Sequence, residues 1–328
     1  MTVKITIIGL GQIGASFGLA LSNQKELLER VGHDRDPGTS RKAKEMGALD
    51  RTDLNLHSAV QNADLILLTL PTDQIRETLE QIAPDLKESA VVMDTAPVKE
   101  TVAAWAAELL PPERHYVGLT PVINPAYLHT TDTGLSGARA DLFHNGLIAI
   151  SSPPRTASEA IKLAADLTRL VGAAPLFTDT LEIDGLMAAT HLLPQLLAAG
   201  LLNATIEQPG WREGRKVAGR AYAEASGPIV HLTGGQSLTT SVMLNRENVL
   251  RVLDGMMAAL QAIRSDIDHQ NQDSLQERLE RARLVRETWW KQRQAGDWAA
   301  QEGGVQVDMP TTSSVFGRLF GLKPKTKK

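Results

Sequence analysis

The residues best placed to do chemistry stand at the start of the chain. Gly9-Leu-Gly11-Gln-Ile-Gly14 follows the β-rich run Val3–Ile8 and precedes a helical stretch from about Ala15. In a strand–turn–helix unit of this kind the first glycine permits a tight turn. The second lets backbone approach a pyrophosphate, and the third lets helix pack closely on strand. The phosphates of a dinucleotide then meet the free N–H groups and positive dipole end of the helix, so Gln12 and Ile13 join the three glycines as binding positions. Asp34 lies twenty residues past Gly14, where an acid is expected to hold the adenosine ribose hydroxyls. A carboxylate there repels a 2′-phosphate and favours NAD. Arg35, the next residue, can pair with such a phosphate and leaves NADP open. The competing account of Asp34-Arg35-Asp36-Pro37 is a plain polar turn.

The elements that must position this turn follow from periodicity. Ala63–Leu70 is a second β-rich run, ending at Pro71, and Val91–Met93 is a third, followed by Asp94. Between them Ile75, Leu79, Ile82 and Leu86 mark one face of a helix. Val98, Val102, Trp105 and Leu109 repeat the pattern until Pro111-Pro112 stops it. Thr156 with Glu159 reads as a capping box for a helix that ends at Gly172. Alternation of this kind predicts a doubly wound parallel sheet covered on both faces. After about residue 178 the strand signal stops. Val249, Leu253, Met256, Leu260, Ile263 and Ile267 form a long apolar seam, and Leu275, Leu279, Ala282 and Trp289 continue in a further helix. The fold class expected is therefore α/β, a Rossmann-type domain over residues 1–178 followed by an all-helical domain over 179–302. The helical seams exceed what one chain can cover, which predicts a homodimer with the 249–267 helix in its shared core. Residues 303–328 read as a flexible basic tail, whose Val315-Phe316, Leu319-Phe320 and Leu322 suggest contact with a partner or a membrane surface, against an inert terminus.

Composition removes several function classes. The net charge of −4 gives no basic face for nucleic acid. With no cysteine in 328 residues, thiol nucleophiles, thiolate zinc sites and disulfides are absent, which suits a cytoplasmic protein. Residues 1–22 imitate a signal peptide only loosely, because Gly9, Gly11, Gln12 and Gly14 interrupt the apolar run. Residues 185–204 are apolar enough to suggest a membrane span, but His191, Pro194 and Gln195 favour a central helix buried on all sides.

Beyond the glycine turn the chain resembles the prephenate/arogenate dehydrogenase family from residue 3 to about 293. Ala63-Asp-Leu-Ile-Leu-Leu-Thr-Leu-Pro71 is similar to the family's fourth strand and nicotinamide-side loop. Asp94-Thr-Ala-Pro-Val-Lys99 is similar to its Asp-x-Gly-Ser-Val-Lys segment, and Tyr116-Val-Gly-Leu-Thr-Pro121 to the strand that runs into a His-Pro pair. Gly137, Leu142-Phe143, Asn145 and the strand Leu147–Ile150 follow in order, then Glu182-Ile-Asp184, Pro194 and Asn245-Arg246-Glu247. The resemblance implies an enzyme that oxidises a cyclohexadienol acid with NAD(P)+ and releases carbon dioxide as the ring aromatises, on the route to tyrosine. It also implies that Thr69, Leu70, Pro71 and Thr95 join the cofactor set. Asn124, Gln195 and His231 would serve a small-molecule substrate.

The same resemblance exposes departures. The family's catalytic histidine position is Thr120 and its serine is Pro97. The histidine of the helical domain falls on Leu192, with His191 one place earlier and about 100° away on an ideal helix. No arginine or lysine lies within 226–240, where the family binds substrate carboxylate, and only His231 is there. Arg215 and Arg220 could bind acids but read as solvated helix residues. Thr120 can hydrogen-bond but cannot take a proton near neutral pH as histidine does, so Thr120 and His191 are the catalytic candidates. Two rivals stand beside this reading. One is the β-hydroxyacid dehydrogenase and imine-reductase group, against which the lack of lysine between Lys162 and Lys216 speaks. The other is a nucleotide-binding sensor or scaffold without catalysis.

Overall fold

The computed structural model describes residues 2–231 and 235–296. The tail expected over 303–328 lies outside the described residues. Two compact units emerge, one of Met1–Leu70, Gln74–Thr180 and the stretch from Arg286 onward, the other of Pro71–Asp73 and Leu181–Val285. The break near residue 180 falls where the strand signal ends. The described residues from Arg286 to Gly296 group with the first unit, not with the helical domain to which their periodicity assigned them.

In the first unit β1 (Val3–Ile8), β2 (Leu28–His33), β3 (Arg51–Thr52), β4 (Leu65–Leu68), β5 (Val91–Asp94), β6 (His115–Val122), β7 (Leu147–Ser151) and β8 (Ala174–Thr178) form one sheet in the order β3-β2-β1-β4-β5-β6-β7-β8. Helices α1 (Gln12–Ala20), α2 (Pro37–Glu45), α3 (Leu56–Val60), α4 (Thr72–Ile82), α5 (Lys99–Leu109) and α6 (Ser158–Leu170) alternate with the strands. The doubly wound α/β expectation is met. Every residue of β1, β4 and β5 is buried, as a sheet covered on both faces requires. Each Leu or Ile so removed from water contributes about 1.5–3 kcal/mol before chain entropy is counted. The sheet is not wholly parallel. β7 runs antiparallel to β6, because the chain returns through the long 123–146 loop and not through a crossover helix. The Thr156/Glu159 capping box does not form. Ala157 occupies the N-cap of α6, and the Thr156 hydroxyl turns back to the Pro153 carbonyl at 2.9 Å.

The 123–146 loop is fastened at both ends. Gln12 Nε2 donates to the Gly137 carbonyl at 3.1 Å, and the Arg139 N–H donates to Ser16 Oγ at 3.0 Å, tying the loop to α1. On the other side the Arg293 side chain, only 3% exposed, donates to the carbonyls of Ile123 and Asn145. That buried anchor is why the end of the last helix groups with the sheet.

The second unit holds α7 (Thr180–Met187), a π-turn over Ala188–Leu192, α8 (Leu193–Ile206), α9 (Trp211–Val217), α10 (Arg220–Ser226), α11 (Gly235–Leu244), α12 (Arg246–Asp268) and most of α13 (Gln272–Ala295). Its core gathers around Ala188, Leu192 and Val249, with Leu196, Leu238, Val242, Val252 and Leu253 packed against them. Asn245 Nδ2 donates to the Asp184 carbonyl at 2.7 Å and joins two landmarks of the sequence. The stretch from α7 through α8 is a continuous helix over Thr180–Ile206, long and apolar enough to cross a membrane by length and composition. The expectation that it is buried on all sides is corrected: within this chain only 17% of its most apolar window is buried. Periodicity reports apolar surface, not which chain covers it.

Candidate functional site

The glycine turn has the geometry its sequence implies. Gly9 adopts φ +91°, and a Cβ there would sit 2.6 Å from the Thr69 carbonyl oxygen. At Gly14 a Cβ would run into the Gly9 carbonyl oxygen and the Thr69 hydroxyl. Thr69 Oγ1 donates to the Gly9 carbonyl at 2.5 Å, so the end of β4 holds the turn in place. A Cβ at Gly11 would meet open space, as a position facing a ligand should. Thr95 packs beside this strand end, its N–H donating to the Leu68 carbonyl at 3.1 Å. Leu70 lines the same rim, whereas Pro71 begins the stretch that groups with the second unit.

Asp34 follows β2 and is bound to the turn: Leu10 N–H donates to its Oδ2 at 2.7 Å and Asp36 N–H to its Oδ1 at 2.9 Å. These bonds hold a carboxylate at the mouth of a pocket of about 340 Å³ lined by Ile8, Gly9, His33, Asp34, Arg35, Leu54, Asn55, Leu56, His57, Leu70, Thr78 and Gln81. One side is apolar, through Ile8, Leu54, Leu56 and Leu70, and suits a flat base. The other is polar. His33 Nδ1 lies 2.9 Å from the Asp53 carbonyl and must donate to it, and His57 Nδ1 is 2.6 Å from Asp85 Oδ2. Sequence reasoning missed Asn55, His57, Thr78 and Gln81. They come from α3, α4 and the turn before α3, and only Asn55 carries a local signal, as the cap that accepts the Ser58 N–H at 3.1 Å.

Below the carboxyl ends of β5 and β6 lies a buried charged cluster that the sequence did not single out for chemistry. Asp94 and Lys99 are each 0% exposed, with Lys99 Nζ 2.9 Å from Asp94 Oδ1. The Asp94 carboxylate also accepts the Tyr116 hydroxyl at 2.5 Å and the Ala96 N–H at 2.8 Å. Gly118 makes this possible, since a Cβ there would press on Lys99, Ser151 and Tyr116. Thr120 stands on the same face of β6, two residues on. It is 4% exposed, and its hydroxyl, like that of Ser151, is buried with no hydrogen-bond partner among the described residues. A hydroxyl so placed can donate to or accept from a ligand.

The remaining expected site residues are divided between the two units. Asn124 is engaged within its own loop, accepting the Ala126 N–H at 3.0 Å and donating to the Asp141 carbonyl at 3.2 Å. His191 and Gln195 share the π-turn region of the second unit, where Gln195 Nε2 donates to the His191 carbonyl at 2.9 Å. The π-turn forms because Pro194 has no N–H to give, and the Leu193 N–H bonds back to the Ala188 carbonyl instead. This turn is underwound, so it does not swing His191 toward the place of Leu192, which is buried in the core. The protein packed around His191 lowers its pKa below the usual 6.5, although the residue itself still meets solvent. His231 closes the 3₁₀ turn Gly227–His231. The Arg220 side chain is 90% exposed and 3.9 Å from Glu224, a solvated helix pair.

Residues 17–176 match the family model described as prephenate dehydrogenase, nucleotide-binding domain; the match begins just past the glycine turn. The cyclohexadienyl dehydrogenase of Zymomonas mobilis is 26% identical over 293 residues, covering 87% of this chain and 96% of that protein. The prephenate dehydrogenase of Bacillus subtilis is 24% identical over 206 residues, covering 62% of this chain and 54% of its own. Among solved structures, prephenate dehydrogenase from A. aeolicus in complex with hydroxyphenyl propionate and NAD+ superposes with TM-score 0.77 at 20% identity over 88% of this chain and 98% of that one. Arogenate dehydrogenase from Synechocystis gives 0.69 at 24% identity over 88% and 100%. These structural likenesses show a shared fold.

Proposed function

We propose that this chain, a member of the prephenate dehydrogenase family, is an NAD-dependent oxidoreductase that oxidises and decarboxylates a cyclohexadienol acid such as prephenate or arogenate. The observation that carries the reading is the Gly9–Gly14 turn locked by Thr69, with the Asp34 carboxylate set at the mouth of an adenosine-sized pocket. NAD, when bound, accepts the hydride. The chain's own part is to hold the pyrophosphate on the N–H groups opening α1 and the ribose hydroxyls on Asp34. The ring carbon bearing the hydroxyl gives up its hydride, the hydroxyl loses its proton, and the carboxylate leaves as carbon dioxide while its electron pair completes the aromatic ring. In this reading the Thr120 hydroxyl, which has no hydrogen-bond partner among the described residues, would meet the substrate oxygen, and His191 is the candidate to take the proton. Gln195 and His231 belong to the substrate side of this reading. Asn124 would act there by shaping the 123–146 loop. The reaction is a cytoplasmic, biosynthetic one, on the route to tyrosine.

Formation of NADH on adding prephenate or arogenate to the full chain with NAD+ tests the proposal. NAD+ binding without NADH from either acid would favour the non-catalytic sensor instead.

The helical unit forms the homodimer. Val249 of α12 is buried, yet Leu250, Met257, Leu260 and Ile267 of that helix are 43–60% exposed within one chain, and Leu181 and Leu186 before α8 are 62% and 46% exposed. Covering such a face takes a second apolar surface, and an isologous copy supplies it. Sedimentation should show a dimer at micromolar concentration, and Leu260→Asp should shift it toward monomer. A wild-type monomer would mean that something other than a second copy covers these helices.

A further inference from the structure

The nucleotide reading leaves open what decides between NAD and its 2′-phosphorylated form, and this inference rests on that reading. The acid after β2 is the ordinary determinant, and a neighbouring arginine the ordinary host for a 2′-phosphate. Here the arginine is engaged elsewhere. Arg35 Nη2 lies 3.4 Å from Glu77 Oε2, on α4 across the pocket mouth. Glu77 is in turn steadied by Gln81, whose Nε2 donates to Oε1 at 3.1 Å. Arg35, Thr78 and Gln81 all line the pocket, so this bridge spans its edge beside Asp34. The two charged side chains are 64% and 60% exposed, which makes the pair weak and readily exchanged for a better partner.

We propose that Glu77 is a specificity-determining residue for the cofactor. It draws Arg35 away from a 2′-phosphate and adds a second negative charge beside Asp34. A phosphate entering this edge must displace a carboxylate from Arg35 and then lie near it, whereas the 2′-hydroxyl of NAD asks neither.

The test is Glu77→Gln in the full chain, titrated calorimetrically with NAD+ and with NADP+. Glutamine keeps the length and the bond to Gln81 while removing the charge. NADP+ affinity should rise about fivefold, the scale of an exposed ion pair, with NAD+ affinity held within about twofold. The gain should shrink as salt screens it, and it should be smaller when Glu77→Gln is made on an Arg35→Gln background, where only the relief of charge repulsion remains. An unchanged ratio of the two affinities, or an equal rise in both, would overturn the assignment while leaving the nucleotide site standing. Failure of wild-type protein to bind either nucleotide would instead overturn the reading on which it rests.

Discussion

Replacing Lys99 with methionine should destabilise the protein by about 3–5 kcal/mol, the usual result of removing one partner from a buried ion pair. Lys99 and Asp94 are both fully buried, and Asp94 would keep only the Tyr116 hydroxyl and the Ala96 N–H to compensate its charge. The loss should appear as a melting temperature lower by on the order of 10 °C for a unit of this size. Exchanging both residues together, Lys99→Met with Asp94→Leu, should recover much of it, because the buried charge then disappears. A single variant as stable as wild type would mean that the cluster is hydrated and carries little of the structure. Tyr116 of this cluster lies four residues before Thr120 on the same face of β6.

Thr120→His should raise turnover with prephenate or arogenate by about a hundredfold, the lower end of what a positioned acid–base group supplies. Thr120 offers a buried hydroxyl without a partner among the described residues, and a hydroxyl does not take up a proton near neutral pH. An imidazole there would do so, and the rate should then fall as pH drops through about 6.5, where an unperturbed histidine gains its proton. Any fall due to His191 should be centred lower, since desolvation lowers its pKa. The larger side chain enters a site that is only 4% exposed, so stability should drop by about 1–3 kcal/mol even as the rate rises. Substrate affinity should change little, because no cationic anchor for the carboxylates has been added. If turnover falls while the variant remains folded and binds NAD+, the reaction runs on residues other than Thr120, and His191→Gln becomes the next variant.

Much of this was legible in the sequence where the signal is local. The glycine turn, β1, Asp34 and the faces of α4, α5 and α12 depend on residues close in the chain, and the structure returns them, with α4 ending at Ile82, short of Leu86. What failed depends on partners far away. The antiparallel pairing of β7 is decided by where a long loop returns. The grouping of the Arg286 stretch with the sheet is decided by Arg293 reaching two carbonyls some 150–170 positions earlier in the chain. Thr156 and Glu159 have the right spacing for a cap, but Pro153 offers the threonine a nearer acceptor. The apolar 185–204 stretch could not reveal whether its cover comes from this chain or another. In the site, Asp34 was visible because a fixed distance from the turn locates it. His57 and Gln81 were not, because α3 and α4, both distant in the chain from Asp34, bring them to its pocket, and Glu77 bears on that pocket only through Arg35.

In the proposed reaction, oxidation of the ring alcohol is coupled to loss of carbon dioxide. The most direct measurement of that coupling is the ratio of NADH formed to carbon dioxide released when the full chain is given NAD+ and prephenate, and again with arogenate. One NADH for each carbon dioxide with at least one of these acids is the predicted result. NADH without carbon dioxide, or neither product from a protein that binds NAD+, would contradict it.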